Sequence, residues 1–166
     1  MQISPIVVAS FLAICGAASA QTFPYDQFER TTLAAITKPW DDSVRLEPPP
    51  TKSGSGIIEG PIFRKLVRAN YAGQHRPTDS AVIDFMVGYE KAHHLETQAE
   101  LYKESYLFRD GGSDYWLPVQ NQVAGYFEKE LKTGASVDLY LVATGGFQRE
   151  NGWTWVLPVE EFEAVK

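Results

Sequence analysis

The last third of the chain alternates apolar and polar residues in short blocks that turn residues separate. Tyr102, Tyr106 and Phe108 are spaced so that one face of a strand presents all three. Asp110-Gly111-Gly112-Ser113 has the composition of a turn, and Gly145-Gly146 predicts a loop. The pattern predicts, in order, a strand over 101–109, a strand over 115–119, a helix over 121–131 that ends before Gly134, a strand over 137–142 and a strand over 153–157.

This order of strand, strand, helix, strand and strand predicts an α+β fold. We expect a small curved antiparallel β-sheet, or a partly open OB-like barrel in which the helix covers one end. The comparison is at the level of the fold alone, and it implies no function.

Residues 61–99 are predicted to be mostly helical and to precede this sheet. Ile62, Phe63, Leu66 and Val67 are spaced as on the buried face of a helix, although a strand is the competing assignment. A second helix is predicted to begin in the 77–80 segment, because Pro-Thr-Asp-Ser is a typical helix start and apolar residues then recur at helical spacing. Together with the last third, these residues form the predicted domain 61–166.

Residues 21–60 are predicted to form an N-terminal arm. Residues 26–36 are compatible with a short helix, and Pro39 is the first of several breaks in regular structure. Three consecutive prolines at 48–50 favour an extended conformation, and Gly54 and Gly56 follow in a flexible stretch. We interpret the prolines as a linker, with a docking ligand for an aromatic groove as the alternative.

Residues 1–20 are typical of a signal peptide. An apolar run over 6–14 closes in small residues, and Ala18-Ser19-Ala20 fits the pattern that signal peptidase cleaves, which places the cleavage after Ala20. We therefore expect a periplasmic or secreted protein. The single cysteine, Cys15, lies within this segment, so no disulfide forms within the chain. A lipid attachment site at Cys15 is the alternative, but Ile14 fits that motif poorly.

The net charge of the chain limits the classes of partner that it can bind. Fifteen Lys and Arg against 21 Asp and Glu give a net charge of −6, so we expect no nucleic acid partner, because phosphate binding needs a cationic surface. We expect no membrane span after signal cleavage. The expected partner is an unidentified protein or a component of the cell envelope.

The residues that could support catalysis do not form a known motif, so no catalytic residue and no cofactor is predicted. The best metal constellation is Glu90 with His94, or Glu90 with His93, and no metal site is predicted from one such pair. His75 has no evident partner in the sequence. Asp110 and Asp114 are interpreted as turn residues.

The aromatic content of 13% offers the first candidate binding surface. Tyr115, Trp116, Trp153 and Trp155 are the candidate ligand-binding residues on the predicted hairpins, because exposed rings on a curved sheet bind sugars, peptides or proteins. The alternative is that these rings fill the core. Two basic residues, Arg64 and Arg68, form a second candidate surface, for which a solvated helix face is the alternative.

Three functions follow from these observations as hypotheses. The first is a small exported non-catalytic binding or accessory protein. The second is an inhibitor or immunity-type protein that blocks a basic enzyme through a clustered acidic surface. The third is a small envelope hydrolase with an unrecognised site that uses His75 or His93 with carboxylates.

Overall fold

The computed structural model describes residues 23–46, 57–149 and 152–165. The predicted signal peptide, Cys15 and the 48–56 segment lie outside these residues. The described helices are α1 (Leu33–Leu46), α2 (Ser80–Ala92) and α3 (Asn121–Glu130). The described strands are β1 (Glu29–Thr31), β2 (Ile57–Pro77), β3 (Glu104–Asp110), β4 (Ser113–Val119), β5 (Ser136–Arg149), β6 (Gly152–Val156) and β7 (Val159–Ala164).

The strands form one seven-stranded sheet that partly closes on itself. Its order is β1-β2-β3-β4-β7-β5-β6, and β2 also pairs with β5. Strands β2, β3, β4, β7 and β5 therefore form a circuit, in which β4 and β7 meet through a single parallel register pair, Val119 with Val159. The predicted α+β class is confirmed, whereas the sheet is mixed rather than antiparallel, because β1–β2 and β4–β7 are parallel pairs.

Strand β2 replaces the first predicted helix. The helix prediction over Ile62–Val67 is wrong, and the competing strand assignment is right. Val67, Ala69 and Tyr71 are buried with the period of two that a strand imposes, and these side chains face the core. The register with β5 shifts between Glu59 and Phe63, where the proline at 61 lacks a backbone donor.

The N-terminal segment differs from its predicted helix over 26–36. A 3₁₀ turn, Tyr25–Gln27, leads into β1, and α1 then continues through Pro39, so that Pro39 does not break the helix. The backbone amide of Leu33 donates to Asp110 Oδ2 at 2.8 Å, and Leu33 and Ile36 are buried in the core. This packing stabilises a helix in which the proline removes one backbone hydrogen bond.

The predicted helix over 121–131 and the hairpin before it are confirmed as α3, β3 and β4. The loop predicted at Gly145-Gly146 is wrong, because β5 continues to Arg149. Gly146 packs closely against Thr154 and Trp155 of β6. A Cβ added at Gly146 would fall 2.5 Å from the carbonyl oxygen of Thr154. Strand β7 was not predicted, since only Val159 and Phe162 within it are buried.

Two apolar clusters organise the structure. The main core lies inside the strand circuit, where rings such as Phe108 and Phe127 are fully buried and α1 and α3 contribute side chains. The second cluster lies under α2, which begins at its cap residue Asp79, and it joins α2 to Tyr102, Phe147 and Val156. None of the helices in the described part of the chain has the length and apolar character that a bilayer crossing requires.

Candidate functional site

A cavity of about 370 Å³ lies between α2, the segment that follows it and the outer face of β2, β5 and β7. We call it the α2 cavity. Its volume falls in the range of small-molecule sites. Its walls combine apolar and aromatic side chains with a few polar groups, which is typical of such sites. Its lining residues include Met86, Tyr89, Glu90, Tyr102, Arg64 and Glu160.

The local sequence explains how these residues converge. Met86, Tyr89 and Glu90 are three and four residues apart, which places them on one face of α2. On β2, Arg64 points to the outer face of the sheet, where its register partner on β5 is Val142, another lining residue. The cavity therefore combines segments that are far apart in the sequence.

Glu90 is the most unusual side chain in the cavity wall. Only 9% of it is exposed. Its Oε1 accepts a hydrogen bond from the Gln98 backbone amide at 3.0 Å, and its backbone carbonyl accepts one from the amide of Leu95 at 2.8 Å. Its Oε2 is buried without a hydrogen-bond partner among the described residues. An unsatisfied buried acceptor costs about 1–3 kcal/mol, so this oxygen is destabilising unless a ligand or a solvent molecule supplies a donor.

A second carboxyl group and a phenol share this environment. Burial raises the pKa of Glu160, and the positive charge of Arg64 opposes that shift. Burial also raises the pKa of Tyr102 far above its usual value, and the negative charges of Glu160 and Glu90 add to the effect. Both carboxyl groups therefore act electrostatically on the Tyr102 hydroxyl.

A second depression of about 660 Å³ adjoins the α2 cavity, and the two share Gln98 and Glu160. Its other lining residues include Gln120, Gln122 and Glu161. A ligand longer than the α2 cavity would therefore extend past Glu160 onto a polar surface.

The structure separates the two predicted basic residues. Arg64 lines the α2 cavity. Arg68 instead binds Asp138 through two hydrogen bonds of 2.8 Å, and Arg30 binds the same carboxylate. Asp138 is buried, and these hydrogen bonds lower its pKa to about 2. Arg68 is therefore part of a structural ion network.

The predicted aromatic residues lie on two surfaces, and no described contact joins them. Tyr115 packs against the main core, and the guanidinium of Arg76 lies 4.0 Å from the ring centre of its neighbour Trp116. Trp153 and Trp155 stack with ring centres 5.4 Å apart. The ring centre of Trp155 is also 5.1 Å from that of Trp40, and its Nε1 donates to Asp41 at 2.9 Å. All four predicted rings are partly buried rather than fully exposed.

The histidines do not converge on the cavity. His75 Nδ1 lies 2.6 Å from Glu104 Oε2, and its ring stacks on Tyr106. His93 Nε2 lies 3.7 Å from Glu59. No histidine is among the described residues that line the α2 cavity.

In the sequence Glu90 stands out only as a partner of His93 or His94, and neither Glu160 nor Tyr102 stands out as a site residue. A buried carboxylate was detectable in principle, since Glu90 follows Met86 at the i+4 position of the apolar face. Glu160 gave no comparable signal, because it lies in the strand that was not predicted.

Neither similar proteins nor an arrangement of metal ligands in the described residues identifies the site. Comparison of the chain with models of protein families, with curated proteins and with solved structures gave no match. Within the described ranges, no group of three or more His, Cys, Asp or Glu side chains is arranged to hold a metal ion. The candidate site is therefore defined by the geometry of the α2 cavity itself.

Proposed function

We propose that this chain is a small non-catalytic binding or accessory protein that acts after export, and that its ligand occupies the α2 cavity. One observation favours this function over the others. The cavity combines apolar walls with a buried carboxylate oxygen on Glu90 that lacks a partner in the described structure. A protein selected for stability alone gains nothing from that oxygen, whereas a binding protein uses it to orient a ligand.

We also propose that the strand circuit is an OB-like barrel. The spatial order β2-β3-β4-β7-β5, with α3 between β4 and β5 along the chain, supports this assignment. The connection between β2 and β3, which contains α2, lines the α2 cavity, and this is one of the two loops that OB-like proteins use for binding. The cavity itself lies on β2, β5 and β7, and not on the face of the second and third circuit strands that OB-like proteins also use. This is an argument from the fold, and the cavity residues supply the chemistry.

The signal-peptide pattern supports a periplasmic or secreted location, and with it a ligand or partner from the cell envelope. The aromatic surfaces around Trp116 and Trp155 remain the alternative place for partner binding. A ligand in the α2 cavity and a partner on those rings are distinguishable, because they involve different side chains.

The inhibitor hypothesis is a second candidate, because the cavity and the depression beside it bring acidic residues together. Glu90, Glu96 and Glu160 line the cavity, and Glu161 lines the depression. A basic side chain of a target enzyme would find opposite charge there.

The binding proposal is tested by ligand-observed NMR, with the mature chain and a mixture of small aromatic amines, alcohols and acids. Val142 lines the cavity from the outer face of β5, so Val142→Trp is expected to fill it, and Val142→Ala is the matched control that leaves it open. We expect at least one compound to bind the wild type and Val142→Ala but not Val142→Trp. If every compound that binds the wild type binds Val142→Trp equally, or if none binds, the α2 cavity is not the binding site.

A further inference from the structure

We propose that the α2 cavity takes an organic cation, a primary ammonium or guanidinium group on a compact apolar body. This inference rests on the proposed function, in that it names the chemical class of ligand for the same cavity. The balance of charge in the wall, the unpartnered oxygen of Glu90 and the nature of the remaining walls each support it.

The charge of the wall favours a cation. Glu90, Glu96 and Glu160 contribute carboxyl groups, and Arg64 is the only basic side chain among the described lining residues. Arg64 is exposed, so solvent screens its charge more than it screens the charge of Glu90, which is 9% exposed. An anionic ligand would therefore meet net repulsion at the buried end of the cavity.

The unpartnered oxygen favours a hydrogen-bond donor. An ionised carboxylate only accepts hydrogen bonds, and Glu90 Oε1 already accepts one from Gln98. A ligand N–H that reaches Oε2 would complete the pair and remove the cost of the unsatisfied acceptor. A charged donor forms a stronger hydrogen bond to a carboxylate than a hydroxyl does.

The remaining walls favour an apolar body next to the charge. Met86, Tyr89 and Tyr102 are buried and line the cavity. The faces of tyrosine rings attract cations as well as apolar groups. An inorganic cation would leave these walls without contacts, and this favours an organic ligand.

The test compares three probes with the same phenol body, namely tyramine, tyrosol and 4-hydroxyphenylacetate, which are cationic, neutral and anionic. Isothermal titration calorimetry with the mature chain at neutral pH measures each affinity. For so small a probe we expect tyramine to bind with a dissociation constant on the order of 1 mM. Tyrosol and the acid are expected to bind at least about tenfold more weakly.

Variants connect the binding to the named carboxyl groups. Glu90→Gln and Glu160→Gln are each expected to weaken tyramine binding about tenfold or more, since each removes one charge and keeps the shape. Glu128→Gln is the control, because the side chain of Glu128 is 71% exposed and lies outside the cavity lining. If Glu90→Gln does not fold, tyramine binding to Glu160→Gln and the pH dependence of tyramine binding test the inference. Tyramine affinity should fall as the pH drops through the raised pKa of Glu160, because the protonated carboxyl no longer attracts the cation.

The outcomes separate this inference from the proposed function. If tyrosol or 4-hydroxyphenylacetate binds with the same affinity as tyramine, and Val142→Trp abolishes that binding, the cation inference is wrong and the binding function stays in place. Tyramine binding that is unchanged in both glutamine variants would overturn the inference, as would a lack of tyramine binding up to about 10 mM.

The cation has two possible sources, a free small molecule and a basic side chain of a partner protein. The peptide acetyl-Gly-Lys-Gly-amide distinguishes them, because the lysine side chain is its only cation. Binding of tyramine alone supports a free amine. Competition between this peptide and tyramine supports a lysine side chain. If the peptide binds and the glutamine variants bind it equally well, the inference is wrong.

Discussion

The ion network at Asp138 provides the clearest test of which predicted basic residue is available to a ligand. Replacing Asp138 with Asn keeps the shape of the side chain and removes its charge. In the folded chain Arg68 and Arg30 lower the pKa of Asp138 from 3.8 to about 2. If Arg68 belongs to this network, the substitution must destabilise the fold, and it must do so in a pH-dependent way.

The size of the effect follows from that pKa. Each tenfold change in proton affinity is worth about 1.4 kcal/mol, so the change from 3.8 to about 2 would correspond to about 2–3 kcal/mol in the absence of screening. The side chains of Arg30 and Arg68 are 55% and 51% exposed, and solvent reduces the value. We therefore expect Asp138→Asn to lower the free energy of unfolding by about 1–2 kcal/mol at neutral pH, or Tm by about 2–6 °C.

The sign of the pH dependence is fixed. A carboxyl group whose pKa is lower in the folded chain stabilises the fold above its unfolded value, and this stabilisation is lost as the pH falls through the folded value. The difference between the wild type and Asp138→Asn should thus be complete above about pH 4 and shrink towards pH 2.

Urea unfolding followed by circular dichroism across this pH range is the assay. Asp114→Asn is the control, because its 2.9 Å ion pair with Arg109 joins two side chains that are 54% and 56% exposed, and we expect a change within about 0.5 kcal/mol. Equal effects of the two substitutions, or a difference at Asp138 that does not depend on pH, would refute the reasoning. Arg68 would then be available to a ligand after all.

Three further predictions address the cavity, the sheet and the aromatic surface. Glu160→Gln should raise Tm at neutral pH and have less effect near pH 4. Burial raises the pKa of Glu160, so the folded chain loses stability as the pH rises through that pKa and the carboxyl ionises. An equal effect at both pH values in thermal melts would contradict this. Gly146→Ala should cost about 1–3 kcal/mol in urea unfolding, because its Cβ would meet Thr154 and Trp155, whereas Gly125→Ala in open space on α3 should be neutral or stabilising by up to about 1 kcal/mol; equal effects would argue against the close packing of β5 on β6. Trp116→Ala should leave tyramine binding in calorimetry unchanged, since this ring packs under Arg76 away from the α2 cavity, and lost binding would move the site to that surface.

The elements that were predicted correctly have local signals. Helix α3 combines an apolar face with a glycine shortly after its end, and the β3–β4 turn contains two glycines with positive φ. Helix α2 has a cap residue, Asp79, next to an apolar face, and it begins at Ser80 within the predicted 77–80 segment. In each case the residues that decide the structure lie within a few positions of one another.

The elements that were missed depend on distant parts of the chain. The Ile62–Val67 stretch fits both a helix and a strand, and its pairing with β5 decides for the strand. Half of the residues in strand β7 are glutamates, and its pairing with β5 along one edge makes it a strand. Pro39 would break an isolated helix, but α1 packs on the main core.

The candidate site was the least predictable part for the same reason. Glu90, Tyr102 and Glu160 lie on three separate segments, and each looks ordinary alone. Arg64 was predicted from its charge, and it lines the cavity. Arg68 was predicted from the same cluster, and it lies on the same face of β2 four residues further on. There it binds Asp138 and does not line the cavity.

The most direct test of the α2 cavity as a ligand site is NMR of the side-chain carboxyl carbons during a titration with tyramine. We expect the signals of Glu90 and Glu160 to move together and saturate, and the pKa of Glu160 to fall in the complex because a cation lies beside it. Carboxyl signals of Glu90 and Glu160 that stay unchanged while tyramine perturbs Trp116 or Trp155, or perturbs nothing, would contradict this expectation.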